Sequence, residues 1–171
     1  QPLYECRVRL EENGTTVSAQ SKKIGLRKIE LDRSADAYGS NFRFVVNGKR
    51  VFCKGANLIP FDSFDTRTDA AKLEHYVRAA AEANFNMIRV WGGGYYASDA
   101  LLDLCDRYGI MIWQDFMFAC MVYPFYEPNF LANVQKEVFF NVKRIREHAC
   151  LAVWCGNNEI EAMSNLWALY P

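Results

Sequence analysis

The chain has 171 residues, of which 51% are hydrophobic and 23% charged, and its 20 basic side chains balance 20 acidic ones. This composition is typical of a globular domain that can bury a core, and it excludes a largely disordered chain. A formal net charge of zero supplies no overall field to attract nucleic acid or an anionic membrane surface, so neither is expected as a partner.

The first forty residues favour β-strands. Apolar and charged residues alternate from Tyr4 to Leu10, Asn13-Gly14 is typical of a tight hairpin turn, and residues 15–19 continue as a second strand. Residues 24–31 predict a third strand. Because a two-layer sandwich needs more strands than this, we expect residues 1–40 to be the C-terminal strands of an immunoglobulin-like β-sandwich domain.

From residue 41 the pattern changes to alternating helices and short apolar strands, after a hairpin predicted around Asn47-Gly48. Helix-capping residues and helical spacing predict helices at 69–84, 100–108 and 129–148, the last capped by Asn129; strands are predicted at 53–58, 87–91, 111–115 and 151–156. Successive β-α-β units build a parallel sheet, and a complete eight-stranded barrel needs roughly 250 residues. Residues 41–171 are therefore predicted to be an α/β domain, the first half of a TIM (β/α)8 barrel.

No apolar run approaches the roughly 18 residues that span a bilayer, and the amino terminus is strand-like rather than a signal peptide. We interpret the sequence as a segment of a mature protein. The cysteines show no C-x-x-C pair and no zinc-ligand spacing, so they are predicted to be reduced core residues, and no metal or other cofactor is expected.

In β/α barrels the reacting groups lie where strands end and loops begin. These positions carry Asn57, Trp91 before three glycines, Asp115, and the run Asn157, Asn158 and Glu159. Carboxylates, amides and indoles suit a neutral, polyhydroxylated ligand, because they hydrogen-bond its hydroxyls and stack on its C–H faces.

Four segments at these positions resemble one known family. They are FCKGANLIP at 52–60, IRVWGGG at 88–94, IMIWQDFMF at 110–118 and VWCGNNE at 153–159. Together they resemble the β-mannosidases of the glycoside hydrolase family that also contains β-galactosidases and β-glucuronidases, over nearly all of residues 42–163. Four such segments in order on successive strand ends are more specific than any one alone.

The resemblance implies a retaining hydrolysis of terminal β-linked mannose in which Glu159 is the catalytic acid/base. The nucleophile implied by the family is a glutamate at the end of the seventh strand, outside this chain, so the chain alone is expected to be inactive. The two carboxyl groups of retaining enzymes stand only about 5 Å apart. By the same resemblance the parent protein is lysosomal, periplasmic or secreted.

The resemblance also implies substrate-binding roles for Asn158, which contacts the 2-hydroxyl in such enzymes, and for Trp91, Asp115, Arg89 and Asn157. Each has a plainer alternative. Asn158 could cap a helix, Trp91 could be a core indole, and Asp115 could be a structural aspartate bonded to backbone amides. Arg89, inside an apolar strand, needs an acidic partner unless it is exposed, and Asp115 and Glu159 are the candidates.

Other functions remain open at this stage. Within the family, the alternatives are β-galactosidase or β-glucuronidase specificity; outside it, the alternative is a non-catalytic carbohydrate-binding module, in which Glu159 is only a solvated first-turn residue. Since half a barrel exposes two sheet edges, self-association of the chain is also expected.

Overall fold

The computed structural model describes residues 2–162. The chain forms two compact units, residues 1–51 and 52–171. The division falls after Val51 rather than between residues 40 and 41, because the hairpin that follows residue 41 pairs with the strand before it. The predicted boundary thus lies inside the first unit.

The first unit contains two antiparallel sheets. β1 (Tyr4–Glu12) and β2 (Thr15–Ile24) form a hairpin whose turn residues, Asn13 and Gly14, have φ of 50° and 80°. β3 (Ile29–Asp32), β4 (Arg43–Val46) and β5 (Lys49–Val51) form the second sheet. The third strand was predicted to begin at Ile24, but β2 extends to that residue, so β3 starts later and pairs with β4.

The second unit is a parallel sheet with the strand order β6-β7-β8-β9. In chain order its elements are β6 (Gly55–Leu58), a short 3-10 helix (Asp65–Arg67), α1 (Ala70–Glu82), β7 (Met87–Val90), α2 (Asp99–Tyr108), β8 (Met111–Asp115), α3 (Pro128–Ile145) and β9 (Leu151–Cys155). Four parallel strands separated by three helices are the arrangement predicted for the first half of a (β/α)8 barrel.

Local sequence signals explain most helix ends. The Asp69 side chain accepts a hydrogen bond from Lys72 N at 2.8 Å before α1, and Gly109, with φ of 73°, ends α2. The prediction that Asn129 caps α3 was wrong. The cap position is Glu127, without a side-chain cap bond, and Pro128 takes the first helical position, where its missing N–H costs nothing.

The two faces of the parallel sheet differ in chemistry. Ile88, Val90 and Ile112 belong to a buried core with residues of the helices, including Leu101 and Ile145. Because side chains alternate along a strand, the register partners Asn57, Arg89 and Trp113 lie on the opposite face. The fold therefore places an apolar face under the helices and a polar face on the concave side, where a closed barrel has its interior.

The cysteines are not all core residues. Cys105 and Cys150 are buried, and burial raises the pKa of the Cys105 thiol to about 12. Cys6 and Cys120 are exposed, which contradicts the prediction. Cys6 lies on a hairpin that is exposed along its length, and Cys120 lies in the loop after β8.

Within residues 2–162, no helix combines the length and apolar character needed to cross a membrane.

Candidate active site

An ion pair between the neighbouring strands β7 and β8 lies at the centre of a cluster of polar side chains on the face of the sheet opposite the helices. Arg89 of β7 donates from Nε to Asp115 Oδ1 at 3.1 Å and from Nη2 to Asp115 Oδ2 at 2.7 Å. Asp115, the last residue of β8, is fully buried, while the Arg89 side chain remains 26% exposed. Of the two candidate partners, Asp115 is the one that neutralises Arg89.

Two more donors hydrogen-bond to the Asp115 carboxylate. Trp113 Nε1 donates to Oδ1 at 3.0 Å, and the backbone N–H of Gly92 donates to Oδ2 at 3.1 Å. A Cβ at Gly92 would lie 2.6 Å from Phe116 O and 2.9 Å from Phe118 O, so only glycine fits this approach. Each carboxylate oxygen thus accepts two hydrogen bonds and has no exposed surface, which favours the structural alternative for Asp115 over a sugar contact.

The Asn158 side chain is oriented by Arg89. Its Oδ1 accepts a hydrogen bond from Arg89 Nη2 at 2.9 Å, and its Nδ2 lies 3.3 Å from Cys120 Sγ. A guanidinium has only donors, so the oxygen must face Arg89 and the NH₂ group must face away from it. One hydrogen of Nδ2 points to the sulfur, and the amide has a second one with which to bind a ligand oxygen.

Asn157, rather than Asn158, has the helix-capping contacts. Its Oδ1 accepts a hydrogen bond from Ile160 N at 3.3 Å, and its Nδ2 donates to Glu161 Oε1 at 3.0 Å. That bond from Asn157 lowers the pKa of Glu161. Both ends of the Asn157 amide are therefore engaged locally.

Glu159 follows Asn158 at the carboxyl end of the sheet and is exposed. Its backbone is left-handed, with φ of 61°, so it precedes the next helical turn instead of belonging to it. Its Oε2 lies 4.0 Å from Cys120 Sγ. The carboxylate thus adjoins the Arg89–Asp115–Asn158 network through Asn158 and Cys120.

Trp91 lies beside this network. Its backbone N–H donates to Leu58 O at 3.1 Å, and its ring covers Gly93, where a Cβ would come within 2.0 Å of ring atom Cη2. The half-buried indole keeps part of its surface accessible. Trp154, by contrast, stacks on Phe116 with ring centroids 5.2 Å apart and packs against the core.

Three contributions to the cluster were not predicted: the Trp113 indole, the Gly92 N–H and the Cys120 thiol. Trp113 lies two residues before Asp115, so the period of two along β8 was a signal that both share a face. Cys120 lies in an irregular loop, where no periodicity indicates what a side chain contacts.

No protein-family model matches the chain. β-Mannosidase B of Thermothelomyces thermophilus is 45% identical over 161 residues, which are 93% of this chain and 19% of that protein. The crystal structure of β-D-mannosidase from Dictyoglomus thermophilum superposes with a TM-score of 0.82 at 47% identity, covering 88% of this chain and 18% of that one.

A β-glucuronidase of Bacteroides uniformis superposes with a TM-score of 0.80 over 96% of this chain and 19% of that chain, at 19% identity, which shows the fold alone. The fold is thus the end of a β-sandwich domain followed by the first half of a TIM barrel. The chain spans about a fifth of the length of the relatives it matches. The chain is therefore homologous to β-mannosidases over most of its own length, at more than twice the identity found with the glucuronidase.

Proposed function

We propose that the protein carrying this chain is a retaining β-mannosidase that removes terminal β-linked mannose, with Glu159 as its acid/base. The observation that carries the proposal is the placement of Asn158 and Glu159 at the carboxyl end of β9, with the Asn158 amide held by the Arg89–Asp115 pair. The high identity to proteins named β-mannosidase supports the same substrate class.

In the proposed reaction, Glu159 protonates the glycosidic oxygen as the bond from that oxygen to the anomeric carbon breaks. A glutamate from a part of the protein outside this chain attacks the anomeric carbon and forms a covalent glycosyl-enzyme. Glu159, now ionised, takes a proton from water, whose oxygen displaces the glutamate and releases mannose. The acid and the base are thus the same carboxyl group in two protonation states.

The neighbouring residues divide into substrate contacts and positioning residues. Asn158 is proposed to donate its remaining Nδ2 hydrogen to the 2-hydroxyl, and Trp91 to stack on a sugar ring. Arg89 and Asp115 are proposed to fix the Asn158 amide instead of touching the sugar, and Asn157 to fix the turn that precedes Glu159.

The ion pair also bears on specificity. A β-glucuronide carries a carboxylate that needs a cation, but the Arg89 guanidinium is already paired with Asp115 through two hydrogen bonds. The pair therefore favours a neutral sugar, and hydrolysis of a panel of aryl β-mannosides, β-galactosides and β-glucuronides should show β-mannoside as the preferred substrate.

The acid/base role is tested by Glu159→Gln in the protein expressed from its complete reading frame. This variant should lose hydrolysis of unactivated mannosides but keep glycosyl-enzyme formation from 2,4-dinitrophenyl β-mannoside, whose leaving group needs no proton. Glu82→Gln, at the exposed end of α1, serves as the matched control and should retain wild-type rates. Full activity of Glu159→Gln on unactivated mannosides contradicts the proposal, and mannose binding without turnover by the wild-type protein would favour a carbohydrate-binding module instead.

A further inference from the structure

Cys120 and Glu159 lie on either side of a short backbone bridge. Ala119 and Asn158 form an isolated parallel bridge, in which Asn158 N donates to Phe118 O at 2.8 Å and Cys120 N donates to Asn158 O at 3.0 Å. The residue after each bridge position is left-handed: φ is 51° at Cys120 and 61° at Glu159. This conformation is costly for side chains with a Cβ and persists where the surroundings enforce it, often at functional sites. The bridge ties the loop after β8 to the candidate acid/base.

The Cys120 thiol connects two of the proposed active-site groups. Its Sγ lies 3.3 Å from Asn158 Nδ2 and 4.0 Å from Glu159 Oε2. Sulfur accepts a hydrogen bond from the amide while its S–H donates to the carboxylate, so both contacts can form together. When the carboxyl group is protonated, its O–H can donate to the same sulfur.

We propose that Cys120 is a positioning residue for the acid/base step: anchored on the Asn158 amide, which Arg89 already fixes, it holds the Glu159 carboxyl group in one arrangement through both of its protonation states. This inference rests on the proposed function of Glu159. Proton delivery depends on the orientation of the acid, so the thiol should matter for substrates whose leaving group must be protonated and hardly at all for those that leave as anions.

The test compares kcat/KM for phenyl and 2,4-dinitrophenyl β-mannosides in the protein from its complete reading frame. Cys120→Ala should lower the value for the phenyl substrate by about two- to tenfold, the range that loss of one hydrogen bond produces, and change the dinitrophenyl value by less than about twofold. Cys120→Ser, which keeps a donor and an acceptor on a shorter bond, should recover part of the loss. The dinitrophenyl rate also reports that each variant is folded.

Cys53→Ala is the matched control, because Cys53 precedes β6 at the opposite end of the parallel strands, and its ratio of the two rates should equal that of the wild type. An equal loss on both substrates, an unchanged ratio in Cys120→Ala, or a serine variant no better than alanine overturns the inference. Failure of the proposed function is distinguishable, since it shows as an inactive wild-type protein or an active Glu159→Gln variant.

Discussion

At the residue scale, Asp115 organises the concave face. A cation inside an apolar strand is costly unless it is neutralised, and Asp115 neutralises Arg89 while also accepting hydrogen bonds from Gly92 N and Trp113 Nε1. Its carboxylate therefore links β7, the loop after β7 and β8. Because Arg89 in turn fixes Asn158, the buried carboxylate also controls an amide that follows β9, two strands away from β7 in the sheet.

Asp115→Asn should be strongly destabilising. The amide cannot neutralise Arg89, and it replaces one acceptor oxygen with an NH₂ group that faces hydrogen-bond donors. Removing one partner of a buried pair costs on the order of 3 kcal/mol, so the urea midpoint of unfolding should fall well below that of the wild type. Glu82→Gln, which breaks only an exposed pair with Arg78, should leave the midpoint unchanged within error. Equal midpoints for the two variants would show that the Arg89–Asp115 pair contributes little.

The sequence predicted that Arg89 needs a partner, because the cost of an unpaired cation in an apolar strand is a local property. It left the choice between Asp115 and Glu159 open. That each carboxylate oxygen of Asp115 accepts two hydrogen bonds could not be predicted, since this depends on how closely the Gly92 backbone approaches β8 in three dimensions.

At the scale of elements, Asp106 connects α2 to the turn before β9. Its Oδ2 lies 2.7 Å from His148 Nδ1, and its Oδ1 accepts a hydrogen bond from Cys150 N at 2.6 Å. Both Asp106 and His148 are buried. This carboxylate fixes the start of the strand that carries Asn158 and Glu159 at its other end.

The Asp106 contacts predict a loss of stability in acid. Burial raises the pKa of the Asp106 carboxyl, but the hydrogen bonds from His148 and Cys150 outweigh it, so the net pKa lies below its ordinary value. A lowered pKa contributes stability above the unfolded-state pKa of about 3.9, and this stability is lost as the pH falls through the folded-state pKa. The midpoint temperature of thermal unfolding of the wild type should therefore decrease as the pH is lowered below about 4.

Asp106→Asn should lower the midpoint at neutral pH and reduce its further fall in acid. Asp103→Asn is the control on the same helix, because Asp103 is exposed and its carboxylate lies 4.0 Å from the same His148 nitrogen. If the midpoint temperatures of the two variants decrease equally with pH, the buried contacts of Asp106 are not the source of the acid sensitivity.

Helices and strands were predicted well where neighbouring residues in the sequence determine their bounds, and poorly where long-range contacts do. The starts of α1 and α2 follow from the side-chain caps Asp69 and Ser98, and β8 has the predicted bounds. The predicted start of α3 was wrong. Pro128 and Asn129 both favour the start of a helix, and only the path of the preceding loop decides between them. The partner of β3 was not predictable, since strand pairing is a long-range contact.

At the scale of the whole molecule, the order of the parallel strands followed from the alternation of helices and strands, whereas the division after Val51 depended on which strand the hairpin joins. In the described structure, the parallel sheet has β6 at one edge and β9 at the other. Edge strands present unpaired backbone groups that template pairing with another chain.

We therefore expect the isolated 171-residue chain to self-associate, and light scattering should show a mass that rises with concentration. Val153→Lys places a charge on the concave face of the edge strand β9, in register with Trp113, and should reduce association because inward-pointing charges oppose edge pairing. Ala83→Lys, at the exposed C-cap of α1 and outside both edge strands, adds the same charge and should associate like the wild type. A monomer at every concentration, or equal association of both variants, would show that the sheet edges do not drive assembly.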